Sequence, residues 1–215
     1  IDGIFLGGEI GQAYLYALKN LNIPLVSIDY YKPNMKIDCI LADNFSISYA
    51  LTTYLIEKAH KKIGFFGNLK RSNYIDRYYG FQKALSFYNL PFTQEWNIIN
   101  SNADIGPNYI DFELPSDMPT AYVCECDLAA YFLTQKLQLS GYRVPDDISV
   151  ISFDNTEISK TCNPPLTTVD INKKEFAEKA FDQLIARIEN PDAPMQTLYI
   201  HTEIVERESV KYNKE

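Results

Sequence analysis

The chain has 215 residues, of which 46% are hydrophobic and 22% charged, an ordinary composition for a globular protein with a sizeable buried core. Its formal net charge of -8 argues against a surface that grips nucleic acid by its phosphates, because such surfaces need clustered Lys and Arg, and any DNA-binding part is expected outside these residues. No run of residues has the length and apolarity of a membrane span, and the acidic first residues differ from the basic start of a signal peptide.

Six short apolar runs predict buried β-strands. A strand that helices cover on both faces is apolar along its whole length, as these runs are, and this pattern is typical of parallel sheets. The predicted strands cover residues 4–6, 24–28, 37–42, 63–66, 122–126 and 149–153. Shorter extended pieces are predicted at residues 98–99, in NPPLTTV after a long polar loop, and as one closing strand over residues 198–205.

Segments with apolar residues at helical spacing separate these strands and predict helices. They cover residues 10–21, 45–60, 107–114 and 173–189, with two more after the polar loop at 71–77 and before Gly141. Asp127 is predicted to cap the start of the helix before Gly141, and His60 to cap the end of the helix over 45–60. The alternation of strands and helices predicts an α/β fold.

Small or polar residues follow each predicted strand, and parallel strands present these ends at one edge of the sheet, where such sheets bind ligands. They are Gly7-Gly8, Asp29, Asp43-Asn44, Gly67-Asn68, Asp127 and Asp154-Asn155. A cleft lined by Asp and Asn suits hydroxyl groups. Arg77 is predicted near the start of a helix, where the helix dipole disfavours a cation. An anionic or hydroxylated ligand would explain it, and a surface ion pair with Asp76 or another acid is the alternative.

The sequence lacks the usual signatures of catalytic and metal sites. It has neither a G-x-S-x-G motif nor a P-loop, and its only histidines are His60 and His201. Its four cysteines show neither a disulfide framework nor metal-site spacing, which favours a reduced, cytoplasmic setting. No metal and no cofactor is expected, and an enzyme would have to use strand-end aspartates such as Asp154 as phosphate acceptor or acid and base. Binding is favoured over catalysis.

The order of several motifs resembles a known family. The segments are, in chain order, IDGIFL, IPLVSID, ADN, YLIEKAHKKIGFFG, RYYGFQKAL, PTAYVCECDLAA, GYRVPDDISVISFDN, PPLTTVD and IVERES. Together they resemble the effector-binding core of the LacI/GalR family of bacterial transcription regulators, over nearly the whole chain. The resemblance implies a two-lobed periplasmic-binding-protein-like fold of type I, with parallel sheets flanked by helices. It also implies a ligand in the cleft between the lobes, a homodimer, and allosteric control of a DNA-binding helix-turn-helix head that precedes the core.

The resemblance also implies where the lobes lie. Residues 1–60 with 170–195 would form the N-terminal lobe, and residues 61–169 with 196–210 the C-terminal lobe. The first strands and helices of the N-terminal lobe, like the DNA-reading head, are expected to be missing before Ile1.

Ligand-binding residues carry over from the family only at matching positions. Arg77, in R-x-x-G-F, resembles the arginine that anchors effectors, and Asp154, in FDN, resembles the acid that accepts hydrogen bonds from sugar hydroxyls or a base. Arg71 and Asn73 fall in a loop that often helps to bind the effector. Cys126 stands where many relatives have an Asn that contacts sugar. Ala59, outside the site, replaces the usual Gly before His60.

Three functions remain open from the sequence. The favoured one is a cytoplasmic repressor core that binds a sugar or related metabolite and thereby changes the affinity of its DNA-binding head for an operator. A periplasmic sugar-binding transport protein has the same fold and would need a secretion signal upstream of Ile1. An enzyme that uses strand-end aspartates is the third, and least favoured, alternative.

Overall fold

The computed structural model describes residues 1–31, 36–99 and 112–214, so the helix predicted over 107–114 falls mostly outside the described residues. In chain order the elements are β1 (Ile4–Gly7), α1 (Gln12–Lys19), β2 (Leu25–Ile28), β3 (Asp38–Leu41), α2 (Asn44–Glu57), β4 (Ile63–Gly67), α3 (Ser72–Phe87), β5 (Ile98–Ile99), β6 (Ala121–Cys124), α4 (Asp127–Leu139), β7 (Ser149–Phe153), α5 (Glu157–Thr161), β8 (Thr167–Ile171), α6 (Lys173–Glu189), β9 (Thr197–Tyr199) and β10 (Thr202–Val205). A short 3-10 helix, Gln94–Trp96, precedes β5.

Contacts within the chain divide it into two compact units. The smaller unit contains Ile1–Asp43 and Asn172–Thr202, and the larger unit contains Asn44–Ile171 and Glu203–Glu215. The lobes that the family resemblance implies stay a prediction, and helix packing and strand pairing explain which unit contains α2 and β9. The larger unit includes α2, because α2 packs along α3, and the smaller unit includes β9, because β9 pairs with β3.

A four-stranded parallel sheet, in the order β1-β2-β3-β9, forms the centre of the smaller unit. Val26 and Ile40 in its middle strands are fully buried, and α6 packs against β2 and β3. The start of α6 is stabilised by Asn172, whose side-chain oxygen accepts a hydrogen bond from the Glu175 amide at 3.0 Å. The predicted helix over 173–189 is thereby confirmed.

A six-stranded sheet, in the order β10-β8-β7-β6-β4-β5, forms the centre of the larger unit. Every residue of β4, β6 and β7 is buried, as their continuous apolar runs predict. The central strand β6 runs parallel to β4 and β7, with Tyr122 opposite Gly64 and Val150. The carboxyl ends of these strands therefore lie at one edge, and the predicted α/β fold with parallel sheets and flanking helices is confirmed.

Three local predictions are wrong. The closing strand over 198–205 is two strands, because β9 pairs with β3 in the smaller unit whereas β10 joins β8 in the larger unit. The polar segment 71–77 is helical from Ser72 onward. The polar loop after Asp154 contains the short helix α5. For β9 and β10 the structure depends on strand partners that are distant in sequence.

Candidate functional site

A buried arginine lies at the carboxyl edge of the larger sheet. Only 2% of the Arg77 side chain is exposed. Its Nε donates to Asn44 Oδ1 at 2.8 Å, its Nη2 donates to Asp154 Oδ1 at 3.3 Å, and its Nη1 donates to the main-chain oxygen of Glu125. Burial of a guanidinium is unfavourable unless it is hydrogen-bonded, and these three partners supply that compensation. Arg77 is therefore not the surface cation that the sequence left as an alternative.

The position of Arg77 on α3 differs from the prediction. Since α3 begins at Ser72, Arg77 lies in the second turn, away from the orphan amides of the helix start. One turn later, a Cβ atom at Gly80 would collide with the main chain of Phe45 and lie 2.9 Å from the Ser48 Cβ. The first turn of α2 can therefore approach α3 closely. This approach places Asn44, the first residue of α2, beside the Arg77 guanidinium.

Asp154 follows β7 in a backbone conformation that is rare for residues other than Gly. Its φ is 100° and that of Asn155 is 43°. The Asp154 amide donates to the Val169 oxygen at 3.0 Å, which continues the β7-β8 ladder, and 29% of the Asp154 side chain is exposed. Asp154 is thus the exposed member of the pair, with one face toward Arg77 and another toward solvent. Strained backbone of this kind clusters at functional sites.

Two aromatic rings enclose the Arg77 guanidinium. Its Cζ lies 4.3 Å from the centre of the Phe153 ring and 5.5 Å from the centre of the Tyr74 ring. Such cation–π contacts are strongest where water is excluded. Burial raises the pKa of Tyr74 well above its ordinary value, so its hydroxyl stays protonated. Both rings are themselves buried, and they hold the cation in place.

Arg71 and Asn73 lie at the start of α3. Arg71 is the N-cap residue and is exposed, with its Cζ 5.6 Å from the centre of the Tyr74 ring. The Asn73 side-chain oxygen accepts a hydrogen bond from the Tyr74 amide at 3.0 Å. Both residues are therefore tied to the same tyrosine that flanks Arg77. A role in ligand binding stays a prediction for both.

Cys126 lies at the N-cap position of α4 and is only 5% exposed. Burial, followed by the negative charge of Asp154, raises the pKa of its thiol to about 12, so it is neutral at physiological pH. A neutral thiol is a weak donor and a poor substitute for an amide that contacts hydroxyl groups. Contact between Cys126 and a ligand stays a prediction. All four cysteines are free and buried.

Glu125 is a buried carboxylate that sequence patterns did not single out. It is completely buried, and its two oxygens accept from the main-chain amide of Asn68 at 2.5 Å and from the Asn68 side chain at 3.0 Å. A Cβ atom at Gly67 would lie 2.6 Å from a Glu125 oxygen, so Gly is required there. The pair fixes the loop between β4 and α3. The only local sequence feature that could have indicated Glu125 is the alternation of cysteines and acids in CECD.

Asp127 is a structural residue but not the predicted helix cap, a position that Cys126 occupies. Its carboxylate accepts hydrogen bonds from Ser152 and Thr168 hydroxyls at 2.6 Å each, and from the Thr156 amide and hydroxyl at 2.6 and 2.9 Å. Ser152 and Thr168 face each other on β7 and β8. Asp127 thus joins both strands to the residue that follows the Asp154-Asn155 turn.

The described part of the chain shows neither a metal-ion site nor a membrane-spanning helix, and it revises the role of His60. Within residues 1–31, 36–99 and 112–214, no group of three or more His, Cys, Asp or Glu side chains is arranged to hold a metal ion. The same residues contain no helix that is long and apolar enough to cross a bilayer. The His60 side chain does not cap α2 as predicted: its ring contacts the Thr120 hydroxyl at 2.9 Å and the Lys211 oxygen at 3.1 Å.

The geometry suits recognition rather than bond cleavage. Arg77 supplies a fixed, permanently charged donor and Asp154 a part-exposed acceptor, within 3.3 Å of each other and beside aromatic rings. A ligand with adjacent hydrogen-bond acceptors and hydroxyls, such as a sugar, matches this donor and acceptor.

Comparison with known sequences gives a consistent result. A family model described as a periplasmic binding protein-like domain matches residues 52–210. The HTH-type transcriptional repressor PurR of Mannheimia succiniciproducens is 38% identical over 192 residues, which cover 88% of this chain and 58% of that relative. The ribose operon repressor of Haemophilus influenzae is 32% identical over 216 residues, 98% of this chain and 64% of that relative. The chain thus spans less than two thirds of the length of these curated relatives.

Solved structures share the fold over almost the whole chain. The transcription regulator CcpA of Lactococcus lactis is 26% identical with a TM-score of 0.86, and the match covers 98% of this chain and 79% of that one. A LacI family transcriptional regulator from Enterococcus faecium with bound ribose is 23% identical with a TM-score of 0.86, covering 100% of this chain and 81% of that one.

Proposed function

The chain belongs to the periplasmic binding protein-like family, in the form that serves as the effector-binding core of LacI-type transcription regulators, and from this premise we propose that it senses a small metabolite. The metabolite is a sugar or a related hydroxylated compound, bound at the carboxyl edge of the larger sheet. Binding changes the operator affinity of a helix-turn-helix head elsewhere in a cytoplasmic, dimeric repressor. The expected position of the ligand between two lobes stays a prediction.

The Arg77–Asp154 pair is the observation that carries this proposal. Arg77 cannot turn away, because Asn44, a main-chain carbonyl and aromatic rings hold it. A ligand that accepts from its remaining N–H groups therefore costs no side-chain entropy of Arg77 on binding. Asp154, being part-exposed, can accept from ligand hydroxyls while it stays near the cation. Fixed donor and acceptor groups of this kind provide specificity for hydroxylated ligands.

The relatives favour this function over the alternatives. The curated relatives are transcriptional repressors, which confirms the prediction that the chain is not an enzyme. One structural neighbour was solved with ribose and another, the regulator CelR, with cellobiose. Those ligands support sugars as the first class to test here. For the transport-protein alternative, the sequence upstream of Ile1 decides: a basic helix-turn-helix supports the repressor and a secretion signal the transporter.

Isothermal titration calorimetry with D-ribose, cellobiose, adenosine and adenosine monophosphate tests the proposal. Arg77→Lys and Asp154→Asn are each expected to weaken binding of the active compound about tenfold or more, since a hydrogen bond to a charged group contributes about 1.5–3 kcal/mol. Arg143→Lys and Asp147→Asn are matched controls, because they alter an arginine–aspartate pair that is exposed and joined by hydrogen bonds of 2.8 and 3.0 Å. Binding that is insensitive to both site variants contradicts the proposed site.

A further inference from the structure

The Asp154-Asn155 turn is held in place by an arginine from the end of the chain. The Arg207 Nη2 donates to Asn155 Oδ1 at 2.5 Å, and its Nη1 donates to the Leu166 oxygen at 2.7 Å and to the Ser159 hydroxyl at 3.3 Å. Arg207 follows β10 closely and is 52 residues from Asn155 in sequence. The side chain is part-buried, so the contact with Asn155 is partly shielded from water.

The backbone of Arg207 is itself fixed. Its amide donates to the Thr167 hydroxyl at 2.9 Å, and the same hydroxyl donates to the Arg207 carbonyl at 3.2 Å. Two residues later, Ser209 is completely buried, and its hydroxyl accepts from the Thr167 amide at 2.8 Å. The guanidinium therefore projects from an anchored segment, and its contact with Asn155 is not that of a loose surface side chain.

The turn needs such support because two successive residues have positive φ. A non-Gly residue in this region is strained and persists only where its surroundings impose it. Asp127 holds one side of the turn through the amide and hydroxyl of Thr156. Arg207 holds the other side through Asn155. Asp154 lies directly before these two held residues, so the direction of its carboxylate depends on both.

We propose that Arg207 is a positioning residue of the ligand site: by holding Asn155, it keeps the Asp154 carboxylate turned toward Arg77. The inference rests on the proposed function, because it assigns Asp154 to the ligand. It adds a determinant of affinity in the IVERES segment that does not touch the ligand. A side chain that stabilises only the loop between Asn155 and Leu166 would change stability and leave affinity unchanged.

A double-mutant cycle separates these two roles. Calorimetry with D-ribose, cellobiose and adenosine is carried out on the chain, on Arg207→Gln, on Asp154→Asn and on the double variant, at a temperature where all are folded. Arg207→Gln is expected to weaken binding about tenfold, the lower end of the losses seen when the outer partners of metal-binding side chains are removed. Combined with Asp154→Asn it adds little, because its effect passes through that carboxylate. Additive losses, or no loss in the single variant, overturn the proposal.

Two further variants guard against a simple folding defect. Asn155→Gly removes the acceptor, permits the positive φ and leaves the other Arg207 contacts intact, so it is expected to reproduce the loss of affinity. Arg143→Gln, which removes an exposed arginine, is expected to leave affinity unchanged. If Asn155→Gly binds as tightly as the unchanged chain, Arg207 does not act through Asn155 and the proposal is rejected.

A crystal structure of Arg207→Gln gives a readout that does not require a ligand. The Asp154 carboxylate is expected to leave its position 3.3 Å from Arg77 Nη2. Retention of that distance with an unchanged turn overturns the positioning role. If no probe binds the unchanged chain, the proposed function fails for those ligands, and this structure still decides whether Arg207 positions Asp154.

Discussion

Arg187 and Asp38, which are 149 residues apart in sequence, form a two-point ion pair inside the smaller unit. Nε donates to Oδ2 at 2.7 Å and Nη2 to Oδ1 at 3.0 Å, and the side chains are only 5% and 0% exposed. The same guanidinium also donates to three main-chain oxygens, those of Pro191, Ala193 and Pro194. The pair joins the end of α6 to β3 and shapes the turn that leads to β9.

We expect Asp38→Asn to destabilise the smaller unit by about 3 kcal/mol, because the buried Arg187 charge then keeps only neutral hydrogen-bond acceptors and no carboxylate. The free energy of unfolding in urea measures this loss. Asp147→Asn is the control, since Asp147 also pairs with an arginine but in an exposed position, and no measurable change is expected. Equal effects of the two substitutions would contradict the importance of burial.

Close packing between α2 and α3 predicts a strong effect at Gly80. A methyl group there would collide with the main chain of Phe45, which cannot rotate away as a side chain can. We expect Gly80→Ala to cost about 2 kcal/mol of unfolding free energy in the larger unit. It should also weaken ligand binding, because separation of the helices moves Asn44 from Arg77.

Gly7→Ala is the matched control for Gly80→Ala. An added Cβ at Gly7 meets no heavy atom within 4 Å, so its effect should stay within about 0.5 kcal/mol. Urea unfolding and calorimetry on both variants make the comparison. A tolerated Gly80→Ala would show that the two helices adjust without loss, contrary to the close approach described above.

The local sequence predicts the strands well because burial on both faces leaves a clear pattern. Continuous apolar runs locate β4, β6 and β7, and the amphipathic pattern after Asn172 locates α6. The closing strand is predicted as a single element because its apolar spacing continues across Ile200, where the chain passes from one sheet to the other. Local pattern contains no information about which sheet a strand joins.

The candidate site is predictable only in part, for the same reason. The motif positions of Arg77 and Asp154 bring attention to the pair, and the structure places the two within 3.3 Å. The residues that support the pair come from distant segments. Asn44 and Glu125 lie 33 and 48 residues from Arg77, and Arg207 lies 52 residues from Asn155. Such long-range hydrogen bonds follow from packing and leave no periodic signal in the sequence.

Buried His60 predicts a loss of stability in mild acid. Burial is the main cause that lowers its pKa from the ordinary 6.5, while the hydrogen bond to the Lys211 oxygen acts in the opposite direction. The unfolded chain therefore binds a proton at a higher pH than the folded chain. Its contribution to stability is complete above pH 6.5 and is lost as pH falls from there through the lower pKa of the folded state.

His60→Gln isolates this contribution, since an amide can still donate to the Lys211 oxygen and form a hydrogen bond with the Thr120 hydroxyl but does not titrate. Urea unfolding of both chains between pH 5 and 8, in steps of about half a unit, is the measurement. As pH falls, the chain with His60 should lose more unfolding free energy than the Gln variant. A difference that is constant across this range would show that His60 binds its proton equally in both states.

Ala59 ends α2 in a conformation that favours glycine. Its φ is 67°, its amide donates to the Ile56 oxygen at 2.9 Å, and the His60 amide donates to the Leu55 oxygen at 3.1 Å. This is the Schellman pattern, which α4 completes with Gly141 at φ 88°. The left-handed conformation costs an L-residue about 1–2 kcal/mol. Glycine avoids this strain, but its larger conformational entropy in the unfolded chain offsets part of the gain.

We therefore expect Ala59→Gly to stabilise the larger unit by about 0.5–1 kcal/mol, an increase measured as a higher urea midpoint with an unchanged slope. Gly141→Ala should produce a loss of similar size, because it introduces the same strain at the equivalent position of α4. Since Ala59 lies outside the Arg77–Asp154 site, ligand affinity should not change with the first substitution. If Ala59→Gly lowers the free energy of unfolding, contacts of the Ala59 methyl group outweigh the backbone strain. Opposite changes in unfolding free energy for Ala59→Gly and Gly141→Ala would instead show that the strain dominates.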